Sequence, residues 1–125
     1  MDDEAIGKQI VDSAVRVHTA LGAGLLESAY ETCLMHELGK CGLEVKRQVP
    51  MPVNYDGLQL DVGYRIDMFV NDRVILELKA VEKLLPLHTA QLLTYLKLSK
   101  LRLGFLLNFN VDHMRNGMKR VVNGF

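Results

Sequence analysis

The sequence predicts one α/β domain over residues 1–125: a mixed sheet with an antiparallel hairpin and a β–α–β crossover, and helices on both faces. Three observations carry this expectation. Apolar residues recur at helical spacing up to Cys41, and from Val45 onward they alternate with a period of two. Near the C-terminus a helical pattern is followed by a short, wholly apolar run.

Residues 4–21 read as an amphipathic helix, with Ile6, Ile10, Ala14, Val17 and Leu21 on one side and Lys8, Asp12 and Arg16 on the other. Gly22-Ala23-Gly24 ends it. A second helix is expected from about Leu26 to Cys41, its stripe formed by Leu26, Tyr30, Cys33/Leu34 and Leu38, with Gly42 at the C-terminal cap. Val45 to Tyr55 alternate as a strand, and Pro50 and Pro52, which cannot donate to a ladder, place it at a sheet edge. Asp56-Gly57 marks a turn, followed by a long strand expected from Leu58 to Val70. Asn71-Asp72-Arg73 turns the chain into a third strand, Val74 to Ala80. Pro86 suits the first turn of a helix from about Leu87 to Ser99, with Leu92, Leu93 and Leu96 facing the core. Leu103-Gly104-Phe105-Leu106-Leu107 reads as a strand buried on both faces, completing the crossover. Met118 to Val122 fits a short strand or helix.

Composition narrows the class. Hydrophobic residues make up 49% and charged residues 24%, which excludes a disordered tail and a disulfide miniprotein. No apolar run approaches the roughly 18 residues of a membrane span, and the acidic start Met1-Asp2-Asp3-Glu4 does not resemble a secretory signal. Cys33 and Cys41, eight apart on an expected helix, read as reduced thiols of a cytoplasmic protein. Residues 1–62 carry five Lys/Arg against ten Asp/Glu, and residues 63–125 carry ten against five. The basic half could meet a polyanion, but a pI near 6.9 is no footprint of a strong nucleic-acid binder.

The hairpin is where chemistry concentrates. Asp67, Glu77 and Lys79 occupy odd positions between apolar neighbours, and Glu77 and Lys79, two apart, share one face. A three-residue turn pairs Val70 with Val74 and sets Asp67 opposite Glu77, whereas a two-residue turn would separate them. Facing carboxylates repel by up to about 1 kcal/mol unless a cation lies between them. A divalent ion such as Mg²⁺, held by one or two carboxylates plus waters and a substrate phosphate, suits that position. Lys79 beside it could orient an attacking water or stabilise charge on a phosphate. The competing reading is a solvated polar face; Phe69 and Ile75 on the same face weigh against it. In the following helix His88, Gln91 and Tyr95 share one side, and in the second helix Glu27 and Tyr30 lie one turn apart. A cap suffices for His88, a dipole-favoured first-turn position for Glu27, and a core site with a satisfied hydroxyl for Tyr30. His18, His36 and His113 show no metal-ligand spacing, and neither cysteine has a CxxC partner.

Gly24-Leu-Leu-Glu27-Ser-Ala-Tyr30 resembles the GxxExxY signature of a group of small bacterial and archaeal proteins within the PD-(D/E)XK nuclease superfamily. The resemblance continues through Arg65-Ile66-Asp67, Glu77-Leu78-Lys79 and Gln91-Leu-Leu-Thr-Tyr95 to Gly104-Phe105-Leu106-Leu107-Asn108-Phe109. It implies a restriction-endonuclease-like three-layer core, with metal ligands at Asp67 and Glu77 and the active-site lysine at Lys79. It also implies site roles for Glu27, Gln91 and Tyr95. Ile66 stands where the superfamily's nominal proline would be, a position without chemistry of its own. The implied activity is Mg²⁺- or Mn²⁺-dependent phosphodiester hydrolysis in nucleic acid, most plausibly DNA. The alternatives are a catalytically idle binding or regulatory module, and a hydrolase of another anionic substrate such as a nucleotide. A homodimer is expected on area grounds, since one small domain offers little surface to hold a duplex. No membrane partner is expected.

Overall fold

Asp2 starts the first helix by accepting the Ala5 N–H at 2.8 Å, and Asp3 and Glu4 in the first turn favour the helix dipole. The computed structural model describes residues 1–124. In chain order the elements are α1 (Asp3–Leu21), α2 (Glu27–Lys40), β1 (Val45–Pro50), β2 (Val53–Tyr55), β3 (Leu58–Leu60), β4 (Arg65–Val70) and β5 (Val74–Lys79). They continue as α3 (Pro86–Ser99), β6 (Leu103–Asn108), a 3-10 turn at Met114–Asn116, and β7 (Met118–Val122).

Five strands form one mixed sheet in the order β1-β4-β5-β6-β7. β5 and β6 are parallel and joined by α3, which is the expected crossover; the other neighbours are antiparallel. One side of the sheet packs Met68, Leu76, Leu78 and Phe105 against Ile6, Ile10, Tyr30 and Leu34 of α1 and α2. The other packs Ile75, Leu106 and Val121 against Leu92, Tyr95 and Leu96 of α3. All six β6 residues are buried because helices cover both faces. β1 lies at the edge, as its prolines require. No helix among the described residues is long and apolar enough to cross a membrane.

Three expectations need correction. The strand expected over Leu58–Val70 is two strands. Its alternation runs on through Val62 and Tyr64, yet these are 57% and 47% exposed, and the chain turns at Gly63, whose φ of 75° is left-handed. β3 instead pairs with β2 around the Asp56-Gly57 turn in a separate two-stranded hairpin. The strand expected over Val45–Tyr55 also divides, at Met51-Pro52, where the Met51 N–H turns to the Tyr64 carbonyl at 2.8 Å. Finally, Leu26 is 77% exposed at the N-cap of α2, so the apolar stripe begins at Tyr30. Met118–Val122 resolves as a strand.

Candidate active site

The β4–β5 turn fixes everything downstream. Val70 pairs with Val74 across three residues, and Asn71 and Asp72 take φ values of 52° and 51°, which their side chains tolerate better than most. Asn71 also ties the turn to the loop before β1, donating to the Glu44 carbonyl and accepting the Glu44 N–H, both at 2.8 Å. Continuing the register places Asp67 opposite Glu77. There side chains take over from the ladder. The Asp67 N–H donates to Glu77 Oε2 at 3.0 Å, and the Leu78 N–H donates to Asp67 Oδ2 at 2.9 Å. Each carboxylate is thus held by a backbone amide of the opposite strand, at the point where the hairpin opens.

Burial then sets the charge. Glu77 is 4% exposed, while Asp67 and Lys79 are half-buried. Glu77 is pushed up to about 9, first by burial and then by the Asp67 charge; the Asp67 N–H and Lys79 pull it back only in part. Glu31 on α2 is also raised, by burial and by Asp67, and Tyr95 on α3 is raised by burial, then by Glu77, Tyr64 and Asp67. The acidic pair is therefore felt on both faces of the sheet.

Lys79 ends β5, and buried Asn108 ends β6 beside it. Asn108 clamps the exit of β5: Oδ1 accepts the N–H groups of Val81 and Asn110 at 3.1 and 3.2 Å, and Nδ2 donates to the Val81 carbonyl at 2.9 Å. The Phe109 N–H donates to the Lys79 carbonyl at 3.0 Å. Gly117 passes so close to this corner that a Cβ would lie 1.9 Å from the Asn108 carbonyl oxygen. A cleft of about 620 Å³ opens at Lys79, with Gln91 and Tyr95 in its wall as the helix spacing suggested. Tyr64 joins them, its ring edge-on to Tyr95 with centroids 6.4 Å apart.

The structure does not gather every expected site residue. Glu27 is exposed on the first turn of α2, and its charge is registered at Glu31 rather than at Glu77. Tyr30 is core: its hydroxyl donates to the Gly22 carbonyl at 2.6 Å and accepts the Leu25 N–H at 3.1 Å, while its ring stacks on Phe109. His88 does two things: its Nδ1 caps α3 by accepting the Leu85 N–H at 3.0 Å, and it lines the cleft beside Gln91 and Tyr95. Sequence reasoning passed over Glu31, Gln48, Tyr64 and Asn108. Glu31 lies one turn beyond Glu27, a signal that was readable. Gln48, which donates to Glu31 at 3.2 Å and has a φ of 52°, gave no sequence signal.

Among the described residues no three His, Cys, Asp or Glu side chains converge tightly enough to cage an ion. Asp67 and Glu77 nevertheless fit a hard divalent cation. They are two oxygen donors held in register, and one is buried where ionisation is unfavourable unless positive charge arrives. The remaining coordination would fall to water and substrate.

A family profile described as the PD-(D/E)XK nuclease superfamily matches residues 4–121, from α1 into β7. The chain belongs to the PD-(D/E)XK nuclease superfamily. No curated protein and no solved structure matches it. The three-layer arrangement, with its antiparallel hairpin and parallel pair, is restriction-endonuclease-like. Membership implies a nucleic-acid substrate, and PD-(D/E)XK nucleases generally depend on a divalent metal.

Proposed function

We propose that the protein is a Mg²⁺- or Mn²⁺-dependent nuclease that hydrolyses phosphodiester bonds in DNA, with its site at the open end of the β4–β5 hairpin. The observation that carries this reading is the buried Glu77 carboxyl set against Asp67, each held by an amide of the other strand. Asp67 and Glu77 would hold the cation, which when bound acts as a Lewis acid toward the phosphate and lowers the pKa of a coordinated water. Lys79, on the same face as Glu77, orients the attacking water and offsets charge developing on the phosphate. Gln91 and Tyr95 line the approach to the scissile bond. Glu27, together with the nearer Glu31, polarises the α2 side; the Gly24…Glu27…Tyr30 spacing supports a place for the chain in the GxxExxY group. The setting is cytoplasmic, consistent with free thiols at Cys33 and Cys41.

A second reading keeps the fold and the cation pair without turnover, as a binding or regulatory module. It is favoured by the near-neutral charge balance and by Arg102 and Arg120 both engaging Glu4, which draws two cations away from any ligand. A cleavage assay over branched, single-stranded and duplex DNA with Mg²⁺ or Mn²⁺ separates the two. Metal-dependent products are expected, and their absence on every substrate leaves the binding module. The protein is also proposed to work as a two-fold homodimer, which doubles the surface available to nucleic acid. Light scattering should give twice the 14.1 kDa chain mass with or without DNA, and a monomer in both states counts against the pair.

A further inference from the structure

The cleft at Lys79 has two chemically different ends. At one end Lys79 stands on the face shared with Glu77. Most of the remaining wall is apolar or aromatic, with Val53 and Leu60 from the β2–β3 hairpin, Leu87 and Leu98 from α3, and the rings of Tyr64 and Tyr95 inclined at 60°; His88, Gln91 and Thr94 of α3 are its polar groups. Much of this surface is wet, with Tyr64 at 47% and Leu87 at 73% exposure. Apolar side chains left in water beside a charged centre are a small patch that a ligand would cover. A nucleotide has the matching polarity. Its anionic phosphate suits the lysine, and its flat, weakly hydrated base suits tyrosine rings and leucine side chains.

Size and charge favour a single strand over a duplex in the same space. At about 620 Å³ the cleft has the volume of a small-molecule site, enough to seat one nucleotide. Duplex binding rests on several phosphate contacts by free cations. Here Lys79 is the one Lys or Arg lining the cleft among the described residues, and Arg47 faces Glu31 across the sheet edge.

We infer that the cleft seats the base of an unpaired nucleotide, so that the strand is single and unstacked where its phosphate meets Lys79. This rests on the nuclease reading above and narrows its substrate. Tyr64 and Leu87 are then base-contacting residues, and the β2–β3 hairpin is one wall of the seat rather than a loose excursion from the sheet.

The test is fluorescence anisotropy with the full chain, free of metal, on labelled strands of about sixteen nucleotides. The panel holds single-stranded DNA, RNA of the same sequence, the blunt DNA duplex, and a deoxyribose-phosphate strand without bases. The DNA strand should bind at least about tenfold more tightly than the duplex, and Tyr64→Ala should weaken it about tenfold. Leu87→Ala, at an exposed helix position that does not threaten folding, should weaken it in the same direction. The strand without bases should lose the Tyr64 dependence. RNA that binds with the same Tyr64 dependence supports the base seat and shows that it ignores the sugar; RNA that binds without it confines the seat to DNA. Equal or tighter duplex binding, or strand binding indifferent to Tyr64, Leu87 and the bases, overturns the inference. Cleavage with Mn²⁺ is scored separately. Duplex cleavage insensitive to Tyr64→Ala would sink the base seat and keep the nuclease, while base-dependent binding without cleavage of any strand would keep the seat and remove the hydrolysis.

Discussion

Replacing Lys79 by alanine is expected to lower cleavage by about a hundredfold or more while metal binding holds or strengthens. Lys79 pulls Glu77 toward ionisation, yet its positive charge also repels an incoming cation, and its removal leaves the two carboxylates and their amide donors in place. Asp67→Asn should behave oppositely in one respect. The amide keeps an oxygen to accept the Leu78 N–H, now 2.9 Å from Asp67 Oδ2, so the hairpin survives. It also removes the charge that opposes ionisation of Glu77. The metal-free variant should therefore fold as well as the wild type or slightly better, and neither bind metal nor cleave. Asp67→Ala is a different experiment, because it orphans the Leu78 amide at a cost of about 1–3 kcal/mol. Thermal melts with and without Mg²⁺ or Mn²⁺ check the scheme. Metal that binds only the native state adds about 2.7 kcal/mol at a hundredfold excess over Kd. The wild type and Lys79→Ala should melt several degrees higher with metal, and Asp67→Asn should not. If all three melt alike in both conditions, the carboxylates hold no cation.

The site was legible because its geometry depends on counting. Residues two apart share a strand face, and a three-residue turn sets Asp67 opposite Glu77; both follow from period and turn length. The helices and the buried strand β6 were legible for the same reason, since a covered strand is apolar at every position. Where the reading failed, the pattern was silent about what faces the pattern. Leu58, Leu60, Val62 and Tyr64 alternate as a core strand would, but β3 pairs outside the sheet and these side chains face the cleft or water. Alternation reports that a surface is apolar and says nothing of whether protein or ligand covers it. Glu27 is a different case. The family resemblance gives it a site role, while Glu31, one turn further along α2, is the carboxylate raised by burial and then by the Asp67 charge. Asn108 is legible only in three dimensions, because its role is to satisfy backbone groups that the turn after Lys79 leaves open.

The second large effect concerns protons. Glu77 is held at about 9, chiefly by burial and then by Asp67, so near neutral pH the folded, metal-free protein carries a proton that the unfolded chain has released. Between the ordinary glutamate value and about 9 the native state binds more protons than the unfolded one, and stability must fall as pH rises through that window. The contribution is complete below the ordinary value and gone above the raised one. Glu77→Gln keeps an oxygen for the Asp67 N–H, now at 3.0 Å, and cannot ionise, so it should flatten this dependence and raise metal-free stability at the alkaline end. Metal opposes this slope. A cation needs the carboxylate, so binding expels the proton, and apparent affinity should rise about tenfold per pH unit between about pH 6 and 8. Calorimetry of Mn²⁺ binding in two buffers of different ionisation enthalpy should count close to one proton released. A count near zero, or a wild-type pH profile shared by Glu77→Gln, would mean that Glu77 does not ionise to hold the metal and that the cation, if bound, rests on Asp67 alone.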